Sequence, residues 1–266
     1  MKKNISVLLV FALILSLFVG IPKPTFAEEG KEVFLSSLGS DENSGTAEAP
    51  LRTFRQAFSI PGVKKITLLD DFIADEKNNN GFSADNSFND SGIYIKKSIV
   101  IDGAGHTLYG LFHVFESNLE ITIQNLKVIA PKAPAKVYSH CINVGYHLSP
   151  SPKNIQLDII NCSLKFAEVD ECESYFIAIG FAAVDSSLII DRTEIHSHIC
   201  VSMNQASNII RGDSTHSIER TGLNSSITIK GASALYSNSF IHPEAIPELG
   251  ISAGSIEYGD AVKLNG

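Results

Sequence analysis

The chain has 266 residues, of which 19% are charged, and a formal net charge of −8 at pH 7. This acidic balance argues against nucleic acid or anionic lipid as the main partner, and it leaves divalent cations and neutral or basic glycans open as ligands. The length suffices for one sizeable hydrophobic core or two small ones.

Residues 1–27 have the features of a signal peptide. Lys2 and Lys3 form a positive start, residues 5–19 form an uncharged apolar run, and Thr25-Phe26-Ala27 supplies small residues at a cleavage site. The sequence therefore predicts cleavage after Ala27, secretion, and no membrane span in the remaining chain. Loss of the three lysines in the leader lowers the formal charge to −11.

Residues 28–62 are expected to form a strand, a polar loop and a short helix. Thr53 is suited to be the N-cap, with Gln56 three residues later as a capping box requires. Phe54, Ala57 and Phe58 follow at helical spacing and would form one apolar face. We expect this helix to cover the open N-terminal end of the coils that follow, because a solenoid exposes its terminal coil.

Five later segments share one pattern, in which aliphatic residues alternate along a short strand. A period of two indicates a strand with one buried face. The alternating pairs are Ile99/Ile101, Ile121/Ile123, Leu157/Ile159, Leu188/Ile190 and Ile227/Ile229.

A bend residue follows each of these pairs two positions later. These residues are Gly103, Asn125, Asn161, Arg192 and Gly231, spaced 22, 36, 31 and 39 positions apart. Glycine and asparagine tolerate the left-handed backbone region, and Arg192 departs from this rule. A constant bend with loops of varying length is typical of a solenoid. The sequence therefore predicts an all-β fold, a parallel β-helix over residues 63–266, that either ends in a coil blunted by loops or belongs to a shortened relative of a longer protein.

The stretch "VFLSSLGSDENSGTAEAPLRTFRQAF" (33–58) resembles the N-terminal signature of secreted right-handed β-helix proteins of the pectate-lyase-like superfamily. "KKITLLDDF" and "SIVIDGAGHTLYG" resemble the early coils of the same superfamily, including its bacterial adhesive domains. The resemblance implies a right-handed parallel β-helix, and either an adhesive domain or a calcium-dependent lyase. Specific motifs of the superfamily can be matched only as far as about Gly110, and the later coils match only in their general pattern.

The densest acidic cluster is a candidate calcium site, since calcium prefers several carboxylate oxygens that converge from a flexible loop. A solvated loop between two strands is the alternative for the same residues. The candidate ligands are Glu168, Asp170, Glu171 and Glu173. No other cofactor is indicated.

Several further residues are weaker candidates for chemistry. Arg192 and Lys230 could act as the base of a lyase, but they match no lyase motif. Paired carboxylates of a polysaccharide hydrolase would have to come from Asp158, Asp185 and Asp191, which no spacing links. The pair Asp70-Asp71 is expected to be structural. Two more motifs point to a metal or a receptor, namely His196 with His198 and the tripeptide Arg211-Gly212-Asp213.

The four cysteines leave two alternatives open. In a secreted protein they could form disulfides with three possible connectivities, or they could be small apolar core residues. They are Cys141, Cys162, Cys172 and Cys200.

Two functional hypotheses follow. The first is a non-catalytic extracellular module that binds a polysaccharide or a cell-surface protein. The second is a calcium-dependent uronate lyase. A fold alone cannot decide between them, because function depends on a site.

Overall fold

The structure, a computed structural model, describes residues 30–74, 92–131, 139–145, 151–167, 176–197, 199–202, 224–236, 239–242, 255–258 and 263–265. All of these except Gly30 belong to one compact unit, Lys31–Gly266. In chain order its elements are β1 (Lys31–Leu35), α1 (Phe54–Ser59), β2 (Val63–Leu68), β3 (Phe72–Ile73), β4 (Gly92–Ile95), β5 (Ile99–Asp102), β6 (Thr107–Tyr109), β7 (Leu111–Val114), β8 (Leu119–Gln124), β9 (Lys127–Ala130), β10 (Ser139–Val144), β11 (Ile155–Ile160), β12 (Ser163–Phe166), β13 (Phe176–Phe181), β14 (Ser187–Asp191), β15 (Glu194–His196), β16 (Ile199–Ser202), β17 (Ser226–Lys230), β18 (Ala234–Tyr236), β19 (Ser239–His242), β20 (Ser255–Tyr258) and β21 (Lys263–Asn265). No helix in these ranges is long and apolar enough to cross a bilayer.

The strands form three parallel sheets that the chain visits in rotation. Sheet A has the order β1-β2-β5-β8-β11-β14-β17-β20, sheet B the order β3-β6-β9-β12-β15-β18-β21, and sheet C the order β4-β7-β10-β13-β16-β19. From β2 onwards, every three successive strands therefore make one coil, which pairs in parallel with the next. The predicted parallel β-helix is confirmed. Its right-handed sense stays a prediction, which the general rule for parallel crossovers supports.

Ladders of identical or similar aliphatic residues fill the interior. Each member stands opposite its equivalent in the next coil and is fully buried, and burial of one such side chain contributes roughly 1.5–3 kcal/mol. Because the same shape recurs in every coil, neighbouring coils can stack without adjusting to different side chains. An unbroken run of isoleucines in one ladder of sheet A consists of Ile66, Ile101, Ile123, Ile159, Ile190 and Ile229.

The predicted bends lie at one corner of the coil, between sheet A and sheet B. Asn125, Asn161, Arg192 and Gly231 each follow a strand of sheet A directly, with positive φ values between 50° and 63°. The Asn161 side chain donates a hydrogen bond to Asn125 Oδ1 (2.8 Å), so the asparagines also connect adjacent coils. Arg192, which departs from the expected residue type, adopts the same conformation as its neighbours.

Two details of this corner differ from the simple pattern. Gly103 follows β5 as predicted, but the left-handed residues there are Ala104 and Gly105, and the bend is longer. At Gly231 the neighbouring coil leaves no room for a side chain. A Cβ at Gly231 would lie 2.4 Å from Asp191 Oδ1, on the neighbouring coil.

A second corner with left-handed residues, which was not predicted from the sequence, lies between sheet C and sheet A. Asn118, Asn154, Asp185 and Asn224 have φ values between 51° and 62°. Their side chains pair between coils, since Asn154 Nδ2 donates to Asn118 Oδ1 (2.8 Å) and Asn224 Nδ2 donates to Asp185 Oδ1 (3.0 Å). Two polar ladders therefore align the coils, one at each of these corners.

Helix α1 begins at the predicted N-cap. Thr53 Oγ1 accepts a hydrogen bond from Gln56 N (3.0 Å) and donates to Asp41 Oδ2 (2.7 Å). The buried Phe54 ring meets Phe72 of β3 edge-on, with ring centroids 5.3 Å apart. The predicted role of this helix, covering the N-terminal end of the coils, stays a prediction.

The described cysteines behave as core residues. Cys141 and Cys162 are buried free thiols, and each donates to a backbone carbonyl, of Lys165 and Ile160 respectively. Burial raises the pKa of both, for Cys162 to about 12. Cys200 is buried as well, and Cys172 lies outside the described residues. For Cys141 and Cys162, the disulfide alternative is therefore wrong.

Candidate functional site

On sheet B, one outward row of side chains stays open to solvent. Each member directly follows a buried core residue of its strand, so the alternation of a strand turns it outward. The strand pairing places the members side by side, one per coil. We call this row the sheet B column; it consists of Ile73, Tyr109, Ile129, Lys165, His196 and Tyr236.

The sheet B column is unusually apolar for a surface. Across the described ranges, five large apolar side chains are strongly exposed, and three of them belong to this row. They are Ile73 (63% exposed), Tyr109 (44%) and Tyr236 (37%). Contiguous exposed apolar side chains mark interaction sites, and Ile73 and Tyr109 stand next to each other in this row.

At one end of the column, two rings and a carboxylate form an ordered group. His196 and Tyr236 stack with ring centroids 4.2 Å apart and an interplanar angle of 6°. His196 Nε2 lies 2.5 Å from Glu194 Oε1, on the same strand. The carboxylate orients the imidazole, and each of the two rings covers one face of the other across two neighbouring coils.

Charged side chains on the outer face of sheet A form ion pairs with one another across neighbouring strands. Lys65 Nζ lies 3.1 Å from Glu32 Oε1 and 3.3 Å from Asp102 Oδ2, and these residues come from three neighbouring strands. The hydrogen bond from Thr67, together with Lys65, lowers the pKa of Glu32, and the bond to Glu32 raises the pKa of Lys65. Burial alone would raise the pKa of Asp102, but hydrogen bonds from Asn125, the Ala104 amide and Gln124 outweigh it and lower that pKa. These groups satisfy one another, which indicates a structural role.

Sheet C differs from the other two sheets because its strands are buried on both faces wherever side chains are described. His113 on β7 is the most unusual residue there. Its ring stacks against Tyr94 at 4.7 Å and fills the space above Gly92, where a Cβ would lie 2.4 Å from His113 Cδ2. Among the described contacts, neither ring nitrogen has a hydrogen-bond partner. Burial lowers the pKa of His113 to about 3, so this imidazole is neutral at pH 7.

The predicted calcium ligands Glu168, Asp170, Glu171 and Glu173 lie outside the described residues, as do His198 and the tripeptide Arg211-Gly212-Asp213. The residues that the structure describes include no group of three or more His, Cys, Asp or Glu side chains that could hold a metal ion. Calcium binding and the lyase hypothesis therefore stay predictions.

The candidate bases lie on neighbouring coils at the corner between sheets A and B. Arg192 N donates to Lys230 O (3.3 Å), and the Arg192 guanidinium lies 2.9 Å from Asp191 Oδ2. This ion pair occupies the guanidinium of Arg192 and one carboxylate oxygen of Asp191, while Lys230 is exposed.

The three candidate carboxylates do not converge. Asp158 and Asp191 lie on adjacent strands of sheet A, two residues apart along the register, whereas Asp185 lies at the other corner. Asp70 and Asp71 have structural contacts, since Asp70 accepts bonds from Ser36 Oγ (2.5 Å) and Ser37 N (2.9 Å), and Asp71 accepts from Thr107 N (2.8 Å).

The sheet B column was not predicted from the sequence, because the strands of sheet B contain only two to four residues and show little alternation. The signal was nevertheless present. The residue three positions after the bend is buried on three of these strands, namely Val128, Leu164 and Ile195. The residue one position later is the column member in each case.

No protein-family model matches the chain, and no curated protein or solved structure shows significant similarity to it.

Proposed function

We propose that this chain is a secreted, non-catalytic module that binds a glycan outside the cell. The observation that supports this most is the sheet B column, above all the stacked and exposed pair His196 and Tyr236. The signal peptide predicted in residues 1–27 and the resemblance of residues 33–58 to secreted β-helix proteins of the pectate-lyase-like superfamily support the extracellular location.

The chemistry of the column suits a sugar ring. A pyranose ring has apolar C–H faces and a polar rim of hydroxyl groups, and aromatic side chains with a polar tip match this division. The stacked rings of Tyr236 and His196 stay partly exposed, while Lys165 on the next coil offers a donor for hydroxyl oxygens. Glu194 supplies an acceptor beside them.

The rigid scaffold lowers the entropic cost of binding a sugar. Because the column members lie on hydrogen-bonded strands, a ligand orders only their side chains, and the backbone loses little further entropy. A solenoid also presents an extended face on which a polymer can make several contacts at once.

A glycan array probed with the purified protein tests the proposal. We expect retention of at least one polysaccharide class, and loss of that retention in Tyr236→Ala. Leu38→Ala is the matched control, since Leu38 is 92% exposed but lies outside the column. Circular dichroism of both variants checks the fold. A blank array, together with cell binding that protease treatment of the cells abolishes, would show that the partner is a protein and would refute glycan binding.

A further inference from the structure

We propose that a polar groove at the corner between sheets C and A binds the guanidinium group of an arginine side chain from a partner polypeptide. This site is separate from the sheet B column, and it does not depend on the glycan binding proposed above. The groove has a volume of about 360 Å³. Its lining is mainly polar and comes from neighbouring coils, with Glu120, Asn154, Gln156, Asp185, Ser187 and Asn224 as the residues that matter here.

The described lining of the groove carries negative charge and no cation. Its two charged members are Glu120 and Asp185, and both are exposed. The ion pairs between described residues include neither carboxylate. Lys153 directly precedes Asn154 in the chain but is not among the lining residues. The charge of the groove therefore favours a cationic ligand.

The ladder of side-chain hydrogen bonds at this corner is interrupted inside the groove. Asn154 Nδ2 donates to Asn118 Oδ1, from the later coil to the earlier one. Asn224 Nδ2 donates to Asp185 Oδ1 in the same sense. The step between them would require residue 185 to donate to Asn154 Oδ1, but a carboxylate has no donor. Two acceptor oxygens, Asn154 Oδ1 and Asp185 Oδ2, therefore stand at equivalent positions of adjacent coils without a donor among the described hydrogen bonds.

A guanidinium group matches two acceptors with this spacing. Adjacent coils lie about 4.8 Å apart. The two N–H bonds of one guanidinium nitrogen diverge by about 120°, so the oxygens that they reach at about 2.9 Å lie about 5 Å apart. The other N–H groups of the same plane stay available for Gln156 or Glu120 further along the groove. An ammonium group has fewer donors and is more strongly hydrated, so it gains less in an open groove.

A metal ion matches this groove less well. Calcium requires several oxygens at about 2.3–2.6 Å from the ion. Glu120 and Asp185 belong to coils that are two strand steps apart, which is about 10 Å. The two carboxylates therefore do not converge on one ion, whereas a planar group with five donors can use acceptors that are spread along the groove.

Calorimetric titration of the purified protein with short peptides tests the proposal. The probes are three acetylated and amidated tripeptides, with glycine on either side of arginine, lysine or citrulline. Citrulline keeps the shape of arginine without its charge. Glucosamine is the probe for an amino sugar, and calcium chloride is the probe for a metal. We expect the arginine peptide to bind at least about tenfold more tightly than the citrulline peptide, and about threefold more tightly than the lysine peptide.

Asp185→Asn separates binding from stability, because it removes the charge and supplies the missing donor. It should weaken binding of the arginine peptide by at least about tenfold. In urea unfolding it should be at least as stable as the wild type, since the new amide can donate to Asn154 Oδ1 and complete the ladder. Glu42→Gln is the matched control, because it makes the same change of charge in the N-terminal loop and should leave binding unchanged.

The two measurements contradict the proposal in different ways. Equal binding of the arginine and citrulline peptides, or full binding by Asp185→Asn, would overturn the site. Preference for the lysine peptide, for glucosamine or for calcium would overturn the guanidinium as its ligand. A loss of stability in Asp185→Asn would show that the carboxylate already has a partner within the protein, and it would overturn the interrupted ladder on which the proposal rests.

Discussion

Replacement of His113 by phenylalanine should make the protein more resistant to acid. The imidazole is buried, stacks on Tyr94, and has two ring nitrogens without a partner among the described contacts. Phenylalanine has nearly the same shape and no polar atoms to bury. Removal of unsatisfied polar atoms from a buried site is neutral or stabilising. We therefore expect His113→Phe to change the free energy of unfolding by no more than about 1.5 kcal/mol at pH 8.

The stability advantage of His113→Phe over the wild type grows as the pH falls. The pKa of His113 is about 3 in the folded protein, against 6.5 as the ordinary value. Between these two values the unfolded chain binds a proton that the folded chain does not, so the stability of the wild type falls as the pH falls from 6.5 towards 3. At pH 5 this linkage amounts to about 2 kcal/mol, and below pH 3 it reaches a limit of about 5 kcal/mol.

Urea unfolding at pH 8 and pH 5 measures this difference. The advantage of His113→Phe over the wild type should be larger at pH 5 than at pH 8 by about 2 kcal/mol. Tyr94→Phe is the matched control, because it changes the same cluster of rings but keeps the imidazole, and so should retain the wild-type acid sensitivity. If the wild type and His113→Phe lose the same stability between the two pH values, the burial of a neutral His113 is wrong.

Three other substitutions test the corners and the N-terminal segment by the same urea unfolding. Asn161→Ala should lower the free energy of unfolding by about 1–2 kcal/mol because alanine is strained in the left-handed backbone region, and by more because the hydrogen bond to Asn125 is lost. Asn161→Gly should lower it less, because glycine adopts that region without strain. If Asn161→Gly is the more destabilising of the two, the conformational role of Asn161 is contradicted. Thr53→Ala removes the hydroxyl that begins α1 and should cost about 1 kcal/mol, and a loss of only a few tenths would show that the cap is dispensable. Gly92→Ala places a Cβ 2.4 Å from the ring of His113 and should lower the free energy of unfolding by about 1–3 kcal/mol. In a His113→Ala background the ring is absent, so the same substitution should lower it much less.

The fold could be predicted from the sequence because one corner of the coil is under a strict constraint. The connections between sheets A and B contain two to four residues, and the left-handed residues there stand in a column. Connections from sheet B to sheet C contain one to 18 residues, and those from sheet C to sheet A contain three to 23. Repeats were therefore visible around the strands of sheet A and the short corner that follows them. The ladder of Asn118, Asn154, Asp185 and Asn224 stands seven positions before the bend residues and has the same spacing of 36, 31 and 39 positions, so its signal was present in the sequence as well.

The candidate site could not be predicted in the same way, because it depends on which side chains become neighbours. Tyr109 and Tyr236 are 127 positions apart in the sequence, and only the register of five strands brings them into one row. Arg192 shows the opposite problem. Its residue type suggested chemistry, whereas its backbone conformation and its ion pair with Asp191 give it a place in the corner ladder.

The three sheets differ in how many of their outward polar side chains are already paired or buried, and this difference favours sheet B as the binding face. On sheet A, Glu32, Lys65 and Asp102 satisfy one another across three strands, so a ligand would have to break ion pairs to bind there. On sheet C, the described side chains are buried on both faces, and a ligand would have to displace what covers them. On sheet B, Ile73, Tyr109 and Tyr236 are exposed, and the one paired group, Glu194 with His196, lies within a single strand. A ligand can therefore contact these apolar side chains without breaking ion pairs between strands.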